Sequence, residues 1–338
     1  MRRATSKKVL LQKVRTKAMK REITPAVRTV GGGSVYAEIK RRGGKAHICI
    51  IRSVGGIGDV LMTTPVMHQL KREFPLLKIT YAVDQHRVNN NVYGELVKNA
   101  WFINEVIDAR YVKRNEYDAV VDLSAVCIRY ERRGLPAINR IDLFARACGV
   151  VNLRNKVPFY KVELLEQAIA QQRLSHHKKN GKCLVALHTA SFEGKRTWAA
   201  KNQIDLIQLC ALRRPDIEFI VFDFNRILGD MNRFSNCTGA SDTTVREMAA
   251  LIAECDVFVG PDSGPMHLAG AMGVKSLVVF GSIPPEARIN HYPTHSAIQL
   301  NGLSCLGCWY EACPIAEKCM KMLSGQTVYA KLLSMIVT

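Results

Sequence analysis

Two turns in this 338-residue sequence combine glycines, a carboxylate and the start of a predicted helix. The later turn lies in the segment 257–281, where a strand, an Asp-Ser-Gly-Pro turn, a helix of small residues and another strand follow without spacers. This layout places a helix N-terminus at the end of a buried strand, where free N–H groups and the helix dipole favour a phosphate. The predicted phosphate-binding residues are Asp262, Ser263, Gly264, Pro265 and His267. In the alternative interpretation, Asp262 and Ser263 only cap an ordinary helix.

The earlier turn, residues 52–65, follows a predicted strand and carries a single carboxylate, Asp59. A carboxylate on a loop at the end of a strand is placed to take a proton from an acceptor hydroxyl. A structural role, as a helix-start residue favoured by the dipole, is equally open. The turn lacks the Gly-Lys-Ser/Thr of a Walker loop and the full Rossmann spacing. Its other candidate residues, on the acceptor side, are Gly56, Gly58, Thr63 and Thr64.

Two adjacent cations, Lys195 and Arg196, follow the first predicted strand of the C-terminal half. They flank a strand end that faces the predicted phosphate, so either could bind it, Arg as a bidentate fork and Lys as a point charge. The alternative is a surface loop with two solvated cations. Candidate contacts for a nucleoside follow the next strands and are Asp223, Asn225, Thr238 and Gly239.

The eleven cysteines are of two kinds. Seven are scattered through the chain, several of them in apolar patterns, and are interpreted as small core residues. The other four, Cys305, Cys308, Cys313 and Cys319, form a C-x2-C-x4-C-x5-C cluster. Four thiolates at this spacing could bind one structural metal, with zinc as the default and iron as the second choice. A pair of disulfides is the alternative, disfavoured in a reducing cytosol.

Positive charge is concentrated at the N-terminus. The net charge is +19, and residues 1–45 contain fourteen Lys or Arg against two Glu, which gives +12 there. A basic helix over 7–20 could contact an anionic membrane surface or nucleic acid, whereas the bland alternative is a solvated extension. No apolar run reaches the ~18–20 residues of a membrane span, and the start has no long apolar signal region. We therefore expect a cytoplasmic protein, with peripheral contact to the inner membrane face through residues 1–45.

Hydrophobic periodicity predicts alternating strands and helices, hence α/β architecture with parallel sheets. The predicted strands are 47–52, 78–83, 117–123, 183–188, 217–223, 256–260 and 276–280, and the predicted helices are 58–73, 139–149, 201–214, 243–254 and 264–272. Two doubly wound, Rossmann-like domains would aim their loops at a shared cleft. The predicted division is a basic extension 1–45, an N-terminal domain 46–172, a linker 173–181, a C-terminal domain 182–303, a cysteine-rich lobe 304–325 and a helix 326–338.

The two turns together resemble glycosyltransferase family 9, which contains the bacterial ADP-heptose:lipopolysaccharide heptosyltransferases. The resemblance covers roughly residues 46–338. It is carried by G-G-I-G-D-V-L-M-T-T-P at 55–65 with L-K-R-E-F-P at 70–75, by G-P-D-S-G-P-M-H-L-A-G-A-M-G at 260–273 and by F-G-S-I-P-P-E at 280–286. The order and spacing of these pieces are more specific than any piece alone.

This resemblance implies a GT-B fold, a nucleotide-diphospho-sugar donor such as ADP-heptose, and an inverting displacement that needs no metal at the transfer step. Asp59 falls on the family's proposed general base. The donor-binding motif falls on Asp262, Ser263, Gly264 and His267. Family members usually have a lysine two residues before Trp198, where this chain has Arg196 with Lys195 beside it.

The resemblance leaves the acceptor open between a saccharide, a lipid-linked saccharide and a protein. Basic loops at 87–91 and 129–140 suit a phosphorylated or lipid-linked sugar. Similar cysteine-rich tails occur in some family members, and the autotransporter heptosyltransferases carry an iron held by four cysteines. A homo-oligomer is compatible with the sequence.

Two functions of other classes remain as alternatives. A nucleotide-sugar isomerase on the same fold would need further acid and base groups, for which His68 and His188 are the obvious extra residues. A non-catalytic basic adaptor would bind membrane or nucleic acid through residues 1–45 and keep a vestigial sugar-nucleotide domain. The intact Asp59 and the intact 260–273 motif argue against the adaptor.

Overall fold

The computed structural model describes residues 28–29, 33–85, 92–131, 137–306, 308, 313 and 315–336. Its N-terminal half holds a five-stranded sheet in the order β1-β5-β2-β3-β4. The strands are β1 (Arg28–Thr29), β2 (His47–Arg52), β3 (Lys78–Val83), β4 (Glu105–Asp108) and β5 (Ala119–Asp122). All pairs are parallel except β1 with β5.

The C-terminal half holds a six-stranded, fully parallel sheet in the order β11-β10-β9-β6-β7-β8. Its strands are β6 (Cys183–His188), β7 (Ile217–Phe222), β8 (Cys237–Gly239), β9 (Val257–Pro261), β10 (Lys275–Phe280) and β11 (His295–Gln299). Strands buried on both faces need near-continuous apolar runs, and β7 (IEFIVF) is buried at every position.

Helices cover both sheets. In the N-terminal half they are α1 (Val35–Arg41), α2 (Ile57–Glu73), α3 (Val92–Val97), α4 (Val126–Glu131), α5 (Arg140–Ala147) and α6 (Leu164–Lys179). In the C-terminal half they are α7 (Ala200–Arg213), α8 (Val245–Ala253), α9 (Gly264–Ala271), α10 (Lys318–Lys321) and α11 (Gly325–Ile336). Within the described part of the chain, none of these helices combines the length and apolarity needed to span a membrane.

The predicted α/β class is confirmed, and the periodic elements lie where the sequence predicts them. β2, β3 and β6 have the predicted bounds, and α2 and α9 differ from theirs by a single residue at one end. These segments are long or strongly apolar, which is where periodicity is most informative.

The N-terminal extension is shorter than the predicted 1–45. Strand β1 pairs with β5, and helix α1 buries Val35 and Ile39 in the core of the N-terminal half. The buried Glu38 carboxylate pairs with Arg41 and Arg42, so part of the basic run neutralises an internal acid. The predicted basic helix over 7–20 lies outside the described residues.

The predicted linker 173–181 is largely the second half of helix α6. The helix starts with a capping box, in which the Glu163 backbone N–H donates to the Glu166 carboxylate. Its buried residues are Ala170 and Leu174, four positions apart on one face. With so few buried positions the rest of the helix is mostly polar and charged. The segment 173–181 therefore shows no hydrophobic periodicity in the sequence.

The two halves meet directly at the N-termini of α2 and α9. A Cβ atom added to Gly58 would lie 2.2 Å from His267 Cδ2, and one added to Gly264 would lie 2.8 Å from Ile57 Cβ. Both positions therefore require glycine. The close approach brings the two glycine-rich turns of the sequence to one place.

Candidate active site

Asp59 lies in the first turn of α2, which follows the carboxyl end of β2 after a four-residue turn. Its Oδ2 accepts a hydrogen bond from the Gly56 N–H at 3.1 Å. Its Oδ1 accepts from Arg140 Nη1 at 2.7 Å and forms an ion pair with Arg52, whose Nη2 lies 2.8 Å away. Burial favours the neutral acid, but the Arg140 and Arg52 guanidiniums outweigh it and hold the pKa of Asp59 well below its usual range. The residue is therefore a carboxylate at neutral pH.

Asp262 occupies the corresponding place beyond β9. Its Oδ2 lies 2.8 Å from Arg196 Nη1 and 3.5 Å from Arg288 Nε. Its backbone carbonyl accepts from Ser191 Oγ at 3.0 Å, which ties the turn to the loop after β6. Burial works against ionisation, and the Arg288 and Arg196 guanidiniums reverse its effect and lower the pKa of Asp262.

Glu131 joins these two ion-pair groups. Arg140 donates to it from both sides of its fork, at 2.8 and 2.7 Å, and Arg288 Nη1 lies 3.3 Å from the same carboxylate. We call this series of linked ion pairs the arginine cluster. Its members are Arg52, Arg140, Arg196, Arg288, Asp59, Glu131 and Asp262. Four guanidiniums against three carboxylates leave one positive charge in a mostly buried site, and the adjoining pair of Lys195 and Glu193 does not change this sum. Such a site favours an anionic ligand.

The predicted phosphate-binding cations lie beside this cluster. Arg196 binds Glu193 at 3.2 Å as well as Asp262, and Lys195 Nζ lies 3.4 Å from the Glu193 carboxylate. Both side chains are 18% exposed. The Nε of Arg196 is buried and has no hydrogen-bond partner among the described residues. An unmet buried donor next to an excess positive charge is the feature expected where an anion binds.

The start of α9 presents the predicted turn to this region. Ser263 is the N-cap but makes no side-chain capping bond; its hydroxyl lies 3.1 Å from His188 Nδ1 instead. His267 is buried, its Nδ1 lies 2.7 Å from the Tyr292 hydroxyl, and burial lowers its pKa to about 3. Burial likewise lowers the pKa of His188 to about 4. Both imidazoles are therefore neutral, and His267 contributes packing against Gly58 rather than a charge.

Three of the four predicted nucleoside residues line cavities, and the fourth, Thr238, is half-buried beside them. A cavity of about 720 Å³ is lined by Asp223, Phe224, Arg226, Gly229, Asp230, Met231, Gly239, Ser241 and Asp242. The carboxylate of Asp223 accepts from Thr189 Oγ1 and from the backbone N–H groups of Ile227 and Leu228. Asp223 thus shapes the loop after β7. Thr238 Oγ1 donates to Glu218, and Asn225 lines a neighbouring cavity of about 420 Å³.

Two of the acceptor-side candidates face inward. Thr63 Oγ1 donates to the Val60 carbonyl and contacts the Tyr81 hydroxyl, and Thr64 Oγ1 donates to the Leu61 carbonyl. Both threonines are fully buried, so they stabilise α2 rather than line the site. The predicted acceptor loop 87–91 and part of 129–140, residues 132–136, lie outside the described residues.

Sequence reasoning did not single out Glu131 or Arg288. Neither residue belongs to a glycine-rich turn. Arg288 follows the F-G-S-I-P-P-E piece by two residues, and that proximity was the available signal. No sequence signal marks Glu131, because its role comes from contacts with Arg140, nine positions away, and Arg288, 157 positions away.

The four clustered cysteines are free thiols in this structure. Cys319 is buried against β10, where its Sγ would be 2.7 Å from a Cβ added to Gly281, and Cys313 Sγ accepts from the Glu317 N–H at 3.1 Å. Burial raises the pKa of Cys319, and the neighbouring Cys313, Cys308 and Cys305 raise it further. Across the parts of the lobe that are described, no three His, Cys, Asp or Glu side chains converge as a metal site.

The lobe also holds the loop of Lys195 and Arg196 in place. Trp198 Nε1 donates to the Leu323 carbonyl at 2.8 Å, Asn202 Nδ2 donates to the Lys321 carbonyl at 2.8 Å, and the Ala199 N–H donates to the Met320 carbonyl at 3.2 Å. Lys321 and Glu317 line the 420 Å³ cavity beside this loop.

The profile of glycosyltransferase family 9 (heptosyltransferase) matches residues 125–318, which is more than half of the chain. The chain belongs to this family. The match includes three of the four arginines of the cluster, the turn at Asp262 and the cysteines up to Cys313.

Relatives and solved structures agree with this family. Lipooligosaccharide heptosyltransferase 2 of Campylobacter jejuni is 28% identical over 162 residues, which cover 44% of this chain and 50% of that protein. The alignment thus spans about half the length of this curated relative.

Among solved structures, E. coli ADP-heptose LPS heptosyltransferase II superimposes with a TM-score of 0.62 at 17% identity, covering 86% of this chain and 98% of that one. The iron-containing dodecameric glycosyltransferase TibC of enterotoxigenic E. coli superimposes with a TM-score of 0.63 at 12% identity, covering 87% and 79%. At these identities the likeness shows the fold, which is of the GT-B type.

Proposed function

We propose that this family 9 protein is an inverting glycosyltransferase that moves a heptose from ADP-heptose to an acceptor hydroxyl. The observation that carries this proposal is the arginine cluster. It has one excess positive charge and includes a carboxylate at the start of a helix in each half, Asp59 and Asp262. A diphosphate suits the excess charge, and a carboxylate nearby suits proton removal from an acceptor. Heptosyltransferases with this fold, and TibC in complex with ADP-D-β-D-heptose, support the choice of donor.

In this mechanism Asp59 is the general base. It takes the proton of the acceptor hydroxyl as the oxygen attacks the anomeric carbon and the bond to the diphosphate breaks. Arg140 and Arg52 both occupy Oδ1, whereas Oδ2 accepts one hydrogen bond, from the Gly56 N–H, so Oδ2 keeps a lone pair for the hydroxyl. A carboxylate with a depressed pKa is a weak base, so its contribution depends on positioning.

On the donor side, the diphosphate leaves with increasing negative charge. Lys195, Arg196 and the backbone N–H groups at the start of α9 stabilise that charge, and Asp262 holds Arg196 and Arg288 in position for it. The transfer step uses no metal. The nucleoside lies in the 720 Å³ cavity beyond β7, where Phe224 offers an aromatic face.

The cysteine cluster is proposed to bind one structural zinc or iron. Four free thiols suit either ion, three of them lie near enough to Cys319 to raise its pKa in addition to the effect of burial, and TibC is an iron-containing structure with this fold. When bound, the metal would cross-link the lobe through Cys305, Cys308, Cys313 and Cys319.

Elemental analysis of the purified protein tests the metal, with about one ion per chain expected. Cys308→Ser should release the ion and lower the melting temperature, whereas Cys237→Ser, outside the cluster, should not release it. A wild-type protein that is as stable without metal as with it would contradict the metal site. Two mapped disulfides would mean that the four cysteines cross-link the lobe covalently instead.

Further parts of the proposal concern partners. The acceptor is a saccharide, a lipid-linked saccharide or a protein, and the chain works in the cytoplasm, with the basic residues before strand β1 touching the inner membrane face. Self-association is included because TibC is dodecameric. An isomerase is not favoured, since neutral, buried His188 bonds to Ser263 and does not provide a free base.

A donor screen tests the central claim. ADP-, UDP-, GDP- and dTDP-sugars are compared by thermal shift, because a ligand of the folded state raises the melting temperature. ADP-heptose should give the largest shift, and ADP should be released faster when an acceptor is added, for which a deacylated, heptose-deficient lipopolysaccharide core is the saccharide to test. A protein that binds none of the four donors would overturn the proposal.

A further inference from the structure

Glu131 lies between the two halves of the arginine cluster, and the mechanism above gives it no task. It ends helix α4 and is 8% exposed. Arg140, from the N-terminal half, binds it with both sides of its fork at 2.8 and 2.7 Å. Arg288, from the C-terminal half, reaches the same Oε1 at 3.3 Å. One carboxylate therefore connects the two halves at the site.

Each of these arginines also has a second carboxylate. Arg140 Nη1 donates to Asp59 Oδ1 at 2.7 Å, and Arg288 Nε lies 3.5 Å from Asp262 Oδ2. Because a planar guanidinium held at two points has one orientation, Glu131 decides how closely Arg140 can approach Asp59. The same carboxylate shares the charge of Arg288 with Asp262.

We propose that Glu131 is a positioning residue, which holds Arg140 and Arg288 together so that the base and the phosphate site are aligned. This inference rests on the proposed function. Without the Glu131 charge, Arg140 keeps Asp59 as its remaining carboxylate, so that carboxylate is a weaker base and is less open to a hydroxyl. The charge of the cluster rises from +1 to +2, which favours a bound diphosphate.

Loss of the Glu131 charge should weaken the base but favour the bound diphosphate. The variant Glu131→Gln in the full-length chain separates these two effects. The turnover number, measured as ADP release from ADP-heptose with the deacylated core acceptor, should fall about 10- to 100-fold. The dissociation constant of ADP, measured by calorimetry, should stay equal or decrease. Glu131→Asp, which keeps the charge on a shorter side chain, should recover part of the turnover.

A matched control removes another carboxylate that binds a buried arginine between the halves. Glu166 pairs in bidentate fashion with Arg246, which also donates to the Glu95 carbonyl in the N-terminal half. Glu166→Gln should lower the melting temperature and leave turnover near wild type. If Glu131→Gln instead loses ADP affinity in parallel with melting temperature, Glu131 only stabilises the domain contact and the inference is wrong.

The remaining outcomes are distinct. A wild-type protein that neither binds ADP nor transfers heptose overturns the proposed function together with this inference. An active wild type with unchanged turnover in Glu131→Gln overturns the inference alone. If the Gln variant does not fold, Glu131→Asp decides: reduced turnover with retained ADP affinity supports the inference, and lost ADP affinity contradicts it.

Discussion

Asp59 and Asp262 have equivalent positions in the two halves of the molecule and different surroundings. Each follows a parallel strand, lies at the start of a helix and pairs with two arginines. Asp59 is inside the first turn of its helix and accepts from the Gly56 N–H. Asp262 precedes its helix, and its backbone carbonyl is bound by the Ser191 hydroxyl.

The difference in access separates their roles. The Asp59 side chain is 10% exposed and the Asp262 side chain 4%, whereas their partners are alike: each pairs with one partly exposed arginine, Arg140 at 16% or Arg196 at 18%, and one buried arginine. Asp59 is the more exposed of the two carboxylates, and its Oδ2 accepts one hydrogen bond only, so a hydroxyl can bind there. Asp262 can contact a ligand only through Arg196, the more exposed of its two partners. Two similar strand–turn–helix units thus favour a reactive carboxylate in one half and an anchoring carboxylate in the other.

Asp59→Asn should have the largest effect on chemistry. We expect transfer to fall about 10²- to 10⁴-fold, as for loss of a general base, while the ADP dissociation constant stays within a few-fold of wild type. Asp142→Asn is the control, because Asp142 also pairs across the halves, with His291 at 2.8 Å, but lies outside the cluster. Transfer by Asp59→Asn within a few-fold of wild type would remove Asp59 from this role.

Asp262→Asn should show the opposite profile. Removing a buried charge that holds Arg196 and Arg288 should lower the free energy of unfolding by roughly 3 kcal/mol. ADP binding should weaken as well, since Arg196 loses its anchor. Urea unfolding and calorimetry measure the two effects. If Asp262→Asn keeps wild-type stability and ADP affinity and loses only turnover, the assignment of roles is reversed.

Replacing both Lys195 and Arg196 by Ala should have a smaller effect on turnover and weaken donor binding, with some loss of stability because Asp262 loses its nearer arginine. A charge-assisted contact contributes about 1.5–3 kcal/mol when buried and less when it is partly exposed, so losing two of them predicts ADP binding weakened by about tenfold to a hundredfold, with milder single variants. Lys201→Ala is the control, because Lys201 is 85% exposed on α7 nearby. An unchanged ADP affinity in the double variant would show that this loop does not touch the donor.

Much of the frame could be predicted from the sequence. Alternating apolar runs located β2, β3 and β6 with their bounds, and glycine-rich turns located Asp59 and Asp262. These signals are local, since a strand or a helix start needs only neighbouring residues to be recognised.

The rest of the site depends on contacts between distant segments. Glu131 and Arg288 are brought together across 157 positions, and no local pattern marks such a pair. Helix α6 was interpreted in part as a linker because just two of its side chains, Ala170 and Leu174, are buried. Thr63 and Thr64 were expected on the acceptor side, but their hydroxyls bond to carbonyls one turn earlier in α2.

The contact between His267 and Gly58 leads to a last prediction, on how the stability of the fold depends on pH. Burial lowers the pKa of His267 to about 3, whereas the unfolded chain binds a proton near pH 6.5. The folded state therefore binds fewer protons between these values, and the stability contributed by neutral His267 is lost as pH falls from about 6.5. Asp59 and Asp262 do not contribute in the upper part of this window, because their depressed pKa values keep them ionised.

His267→Gln should consequently lose less stability on acidification than wild type. Between pH 7 and 5.5 the difference should be about 1.4 kcal/mol, the value of one pH unit below the unfolded pKa for one proton. Urea unfolding at the two pH values measures it, with His176→Gln as the control because His176 is exposed on α6. An equal acid loss in His267→Gln and wild type would mean that the imidazole takes up a proton without opening the contact with Gly58. That result would also weaken the distinction between the two turns, because a cationic His267 would then add a charge to the Asp262 side.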